Sequence, residues 1–150
     1  MPRIFPMWTR KDMLWTWLLP DTSRAADAGE WMKHGGKWII FDRKDAILRL
    51  AEGLRSPIDA GEVASAKYWN KDPSAICVYS LDRNRGKVLD ILESLGAGKK
   101  RVWEYDYAMD KNLQDPIVFI YSWTSKFRTI LQSYGIAGTL RLVRELLKPR

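Results

Sequence analysis

Gly35-Gly36-Lys37-Trp38-Ile39-Ile40-Phe41-Asp42 is the stretch from which the fold can be read. Residues 37–41 are β-branched, aromatic and apolar apart from Lys37, the composition of a strand. The glycine pair before them punctuates the chain. After Phe41 the period changes. Asp42, with Asp45 three residues on, supplies an N-cap and an acid at N3. Ile47, Leu50, Ala51 and Leu54 follow at i, i+3, i+4, i+7, one apolar face of a helix. Ser56-Pro57 stops that helix.

The same sentence recurs in both directions. Residues 14–18 are a β-prone run ended by Pro20, and residues 21–30 read as a loop. Residues 63–69 and 75–81 are two further strands around the turn sequence Asn70-Lys71-Asp72-Pro73. Asp82 or Asn84 caps a helix with the stripe Val88, Ile91, Leu92, Leu95, and Gly96 suits its C′ position. Residues 101–107 and 116–123 form a third pair. Ser122 or Thr124 then caps a helix with Phe127, Ile130, Leu131 and Tyr134, followed by Gly135. A last helix, 136–148, uses Ile136, Leu140, Val143 and Leu147. Asp42-Arg43 and Asp82-Arg83 occupy corresponding junctions. Three strand–strand–helix units, each helix with one stripe to bury, predict an α+β fold: a curved, mostly antiparallel sheet with its helices on one face. The other face is then open to ligands. Residues 1–11 read as a basic N-terminal arm, and residues 12–150 as a single domain ending in a basic helix.

The chain has 150 residues, a net charge of +7, eight tryptophans, one cysteine and one histidine. The charge is uneven. Residues 1–11 carry Arg3, Arg10 and Lys11 without an acid, and residues 141–150 carry Arg141, Arg144, Lys148 and Arg150 against Glu145, so the 129 residues between contribute only +1. Basic ends attract polyanions; a solubilising tail is the plainer alternative. A lone Cys77 permits no internal disulfide and fits a reducing compartment. No run reaches the roughly 18 apolar residues of a membrane span. A soluble, cytoplasmic protein without a membrane partner is expected; the oligomeric state is left open.

Four stretches carry a family resemblance: Gly36-Lys37-Trp38-Ile39-Ile40-Phe41, Ser65-Ala66-Lys67, Ile76-Cys77-Val78-Tyr79 with Asp82, and Tyr105-Asp106-Tyr107. Together they resemble the basophilic-leukemia-expressed protein family over residues 13–110. From Asn112 onward the chain departs from it. The resemblance implies a fold like that of the mRNA cap-binding initiation factor 4E, an antiparallel sheet backed by helices with a concave open face. Some members are labelled phosphothreonine lyases, and that is the activity the resemblance implies.

Classical catalytic motifs are missing. Gly96-Ala97-Gly98-Lys99-Lys100 follows a helix, whereas a phosphate loop opens one. One Cys and one His cannot furnish a structural zinc set, so no metal and no cofactor are expected. Cys77 lies inside an apolar strand run and reads as core.

Three function classes remain. A phosphate-eliminating lyase needs a base, an acid and cations for phosphate. Lys67 is the candidate base, His34 the acid, and Arg43, Arg83 and Arg85 the phosphate holders. A module binding RNA or a phosphorylated, nucleotide-like ligand needs aromatic platforms and cations. Trp15 and Trp17 alternate with Thr16 and share a face, but strand tryptophans are often core. Trp31 and Trp8, read as loop residues, are the better ligand candidates. In cap-binding proteins of the fold the resemblance implies, loop tryptophans sandwich a charged base. Lys99, Lys100 and Arg101, together with Arg141, Arg144 and Lys148 on one helix face, are the candidate nucleic-acid contacts; a solvated face is the alternative for the helix. The third class is a protein–protein adaptor anchored by exposed tryptophans. The binding module uses most of these features and is the favoured reading.

Overall fold

The computed structural model describes residues 8–20, 27–108 and 111, and helical positions between 124 and 144, with side chains from residue 11 onward. In chain order the elements are β1 (Trp8–Lys11), β2 (Trp15–Leu19), α1 (Ala28–His34), β3 (Gly35–Asp42), α2 (Lys44–Gly53), α3 (Arg55–Asp59), β4 (Ser65–Trp69), β5 (Ser74–Leu81), a 3₁₀ turn (Asp82–Asn84), α4 (Arg85–Ser94) and β6 (Arg101–Tyr105). The six strands form one sheet in the order β1-β2-β4-β5-β3-β6. Every neighbouring pair is antiparallel. Among the described residues its outer strands, β1 and β6, do not pair with each other, so the sheet they form is not closed into a barrel.

Alternation along the strands divides the sheet into two faces. Leu18, Ile40, Ala66, Ile76 and Val78 point to one of them. There they meet Ile47, Leu50, Ala51 and Leu54 of α2 and its exit, Ile58 of α3, and Val88 and Leu92 of α4. Ile40, Ile47, Leu54, Ile58, Ile76 and Leu92 are fully buried, and each such side chain contributes about 1.5–3 kcal/mol. The stripes read from the sequence in α2 and α4 are therefore the packing surface.

The second face is not bare, contrary to expectation. Ile39, Ala75, Cys77, Tyr79 and Val102 are buried on it, and Trp31 of α1 packs against this group. The helices are thus not confined to one side. Cys77 is buried, as its neighbours implied. Trp31 lies in a helix and not in a loop; α1 has no buried residue and hence no apolar stripe to announce it in the sequence.

Other expectations need correction. Residues 8–11 are an edge strand, not an arm: Trp8 and Thr9 pair with Leu19 and Leu18. The β4–β5 hairpin separates β2 from β3, and the second strand of the third pair, 116–123, lies outside the described residues. Neither helix is capped as expected. Asp42 accepts the Arg43 N–H at 2.7 Å, while Asp72 accepts the Lys44 N–H at 3.1 Å across the chain. Asn84 makes no side-chain cap, and the Asp82 carboxylate is used elsewhere. Gly96 does follow α4, at φ +86°. Among the expected stripes of the last two helices, Phe127, Leu131, Ile136 and Leu140 are exposed; Ile130, Tyr134, Val143 and Leu147 lie outside the described residues. No helix among the described residues is long and apolar enough to cross a membrane.

Candidate functional site

The second sheet face carries a row of aromatic rings with lysines among them. Alternation in β2 sends Trp15 and Trp17 to this face and buries Thr16 on the other side, where its hydroxyl donates to Asn70 at 2.6 Å. In β4, Lys67 stands between Ala66 and Tyr68, which both face the helices. The register puts Lys67 beside Trp17 on one side and Cys77 on the other. Its Nζ lies 4.4 Å from the Trp15 ring and 4.6 Å from the Trp17 ring, within cation–π range of both. The row continues outward. Trp15 stacks on Trp69 at 5.7 Å, Trp17 on Tyr79 at 6.5 Å, and Trp31 tilts onto Tyr79 at 6.4 Å.

The two lysines of this face are in different electrostatic states. Burial alone would lower the pKa of Lys37. Its 2.5 Å contact with Asp106 outweighs that and leaves it raised. Asp106 also accepts the Trp31 indole N–H at 3.2 Å, which ties α1 to the face. Lys67 forms no ion pair among the described residues, and desolvation by burial lowers its pKa. Lys67 is thus a half-buried ammonium flanked by two indole rings, with desolvation as the largest influence on its pKa.

A second feature is a cleft of about 510 Å³ between α1 and the Asp82–Asn84 turn, lined by Asp27, Gly29, Glu30, Lys33, His34, Asp82 and Arg83. At its edge one oxygen of Asp82 faces His34 Nδ1 at 3.2 Å, accepts the Tyr105 hydroxyl at 3.0 Å, and lies 4.0 Å from Lys111 Nζ. Burial pushes the Asp82 pKa up; the hydrogen bonds from His34 and Tyr105 outweigh this and leave it lowered. Arg83 is ion-paired with Glu30.

The candidates named from the sequence scatter. Lys67 is opposite Cys77 on β5, and Gly35, next to His34, is opposite Leu81 on the other side of that strand. Four residues along a strand are about 13 Å, so the lyase base and acid do not share a site. Arg43 and Arg83 lie beyond opposite ends of the β3–β5 ladder, which is itself roughly 23 Å long by the same spacing. Arg43 pairs with Asp45, and the Arg85 carbonyl accepts the Trp38 indole N–H. Lys99 and Lys100 are exposed before β6, while Arg101 is bound to Glu93. Arg141 and Arg144 are exposed helical residues; Lys148 and the Trp8 side chain lie outside the described residues. His34 and Arg83 do come together, in the cleft. The sequence reading missed Lys37, Tyr79 and Asp106 as members of the second face. The usable signal was a lysine at an inward position of each of two apolar strands.

Among the described residues no group of three or more His, Cys, Asp or Glu could hold a metal ion. Compared with known protein families and with curated proteins, the chain matches none.

Proposed function

We propose that this chain is a binding module for RNA or a phosphorylated, nucleotide-like ligand, received on the second sheet face. One observation carries the reading: Lys67, without an ion-pair partner among the described residues, sits between the Trp15 and Trp17 rings in a continuous aromatic row. Indoles stack on bases of any identity, at about 1–3 kcal/mol per base, and a neighbouring ammonium neutralises phosphate. Lys99, Lys100, Arg141 and Arg144 are exposed as well and are further candidate phosphate contacts.

The test is titration with fluorescent single-stranded RNA at about 50 and about 200 mM salt. Binding is expected to weaken with salt. Trp17→Ala is expected to lose about five- to a hundredfold in affinity, the equivalent of one stacked base, with a melting curve to verify folding. Absence of binding at low salt would sink the RNA reading.

A further inference from the structure

The two lysines of the second sheet face stand in surroundings that suit them to different chemistry. Lys37 Nζ is bonded to Asp106 at 2.5 Å, and that carboxylate holds it as an ammonium. Lys67 is half-buried and forms no ion pair among the described residues; its Nζ lies 4.4 Å from the Trp15 ring and 4.6 Å from the Trp17 ring. We propose that Lys67 is a carbonyl-reactive amine that joins an aromatic aldehyde as an imine, with the Trp15 and Trp17 rings as the platform for the ligand's own ring. This goes beyond the reading of the face as an RNA site and does not depend on it.

An ammonium carries three N–H donors, which water satisfies best. Against Trp15 and Trp17 it keeps an attraction to two π faces, about 0.5–1 kcal/mol each, but it loses part of its water. A protonated imine has one N–H, and its charge is spread over nitrogen and carbon. The rings attract it as they attract the ammonium, while half-burial costs it less. Partial desolvation therefore favours the conversion, and the indoles do not oppose it. The attacking species is the free amine. Burial, with Lys37 acting in the same direction, lowers the Lys67 pKa against the opposing effects of Cys77, Asp106 and Asp12, and a lower pKa leaves more of the amine free at neutral pH. Its lone pair attacks the carbonyl carbon, and the C=O π pair moves to oxygen. Both amine hydrogens then leave with that oxygen as water, and a C=N bond replaces C=O, with no oxidant or reductant. The imine takes a proton from solvent. Trp15 and Trp17 are half-buried, so part of each indole is accessible among the described residues. An aromatic aldehyde gains from them a stacking contact that an aliphatic one lacks, and the stack holds its carbonyl carbon beside Nζ.

Benzaldehyde and butyraldehyde are the probes. Each is added to the full chain at neutral pH with sodium cyanoborohydride, which reduces an imine to a stable secondary amine, and mass spectrometry of peptides reads the label at each lysine. Labelling of Lys67 is taken relative to the exposed Lys99 and Lys100 in the same sample, which cancels the different reactivities of the two aldehydes. With benzaldehyde, Lys67 should be labelled several-fold faster than Lys99 and Lys100, and Lys37 more slowly than either. Butyraldehyde should show a smaller preference for Lys67, and urea should remove the preference. Trp17→Ala should reduce the benzaldehyde preference about two- to tenfold, the worth of one ring–ring contact, with a melting curve to verify folding. If that variant does not fold, the comparison of the two aldehydes on the wild type decides alone. Labelling of Lys67 no faster than of Lys99 and Lys100, an equal preference with both aldehydes, or a preference that survives in urea would each overturn the proposal. No nucleic acid enters the experiment, so its failure leaves the RNA reading standing, and a failed RNA titration leaves the amine chemistry standing.

Discussion

At the scale of single residues, Lys67 and Asp82 illustrate opposite uses of charge. Burial disfavours the Lys67 ammonium, and two indoles offset part of that, at about 0.5–1 kcal/mol each for exposed geometries. A lysine whose folded pKa is depressed reduces stability below that pKa. The penalty is relieved as pH rises through the folded value towards the ordinary lysine range. Lys67→Met, which keeps the packing and removes the charge, is expected to stay within about 1 kcal/mol of the wild type in urea denaturation at neutral pH. It should also weaken RNA binding. A stability loss above about 2 kcal/mol would show that the ring contacts dominate. Asp82 runs the other way. Its folded pKa is lowered by His34 and Tyr105, so its contribution is complete above the unfolded carboxylate value of about 3.9. That contribution disappears as pH falls through the lower folded value. Asp82→Asn should lower the melting temperature at neutral pH by a few degrees. The difference from the wild type should shrink in acid below about pH 3. A difference that stays constant with pH would contradict this.

At the scale of elements, β3 is the most constrained piece. The glycine pair that reads in the sequence as punctuation is the first part of the strand itself. A Cβ on Gly36 would stand 2.6 Å from the Trp103 ring and 2.7 Å from the Glu104 carbonyl oxygen. A Cβ on Gly35 would meet the Trp31 ring and backbone at 2.4–2.5 Å. Two tryptophans from neighbouring elements thus lie against bare backbone. Gly36→Ala is expected to destabilise the fold by about 1–3 kcal/mol in chemical denaturation, because the carbonyl cannot move aside without breaking the β3–β6 ladder. A neutral result would mean that β6 is free to shift. The short α1 shows why propensity failed there. Seven residues do not hold a helix by themselves. Besides the packing of Trp31 on the second face, its supports include polar contacts to remote residues: Glu30 on Arg83, His34 on Asp82, the Trp31 indole on Asp106, and Lys111 donating to the Lys33 carbonyl at 2.7 Å.

At the scale of the whole molecule, the β4–β5 hairpin lies between β2 and β3, and this interleaving assembles both the aromatic face and the cleft. It sets Lys67 of β4 beside Trp17 of β2, and Tyr79 of β5 next to Lys37 of β3. It also brings the end of β5, with Asp82 and Arg83, to the start of β3, where α1 arrives with His34. If Arg141 and Arg144 contribute to an RNA footprint, the double variant Arg141→Gln/Arg144→Gln should bind more weakly across all RNA sequences. The slope of log affinity against log salt should fall by about 1–2. An unchanged slope would confine the interaction to the sheet.

What the sequence determined by itself was local and periodic. The strand core 37–41, the stripes of α2 and α4, the hairpin turn between β4 and β5 and the burial of Cys77 all follow from spacing of two or 3.6 residues and from turn chemistry, which neighbours along the chain decide. Even the shared face of Trp15 and Trp17 was legible in this way. Strand order, the covering of the second face, the helical state of Trp31, the strand at 8–11 and the company kept by Asp82 were decided by tertiary structure. Asp82 reads as a helix cap because its neighbours in sequence offer that use; in the fold its carboxylate faces His34 Nδ1 and accepts the Tyr105 hydroxyl. A polar group takes the partners that folding brings within hydrogen-bond distance, and that distance is fixed by strand order, which no local period encodes.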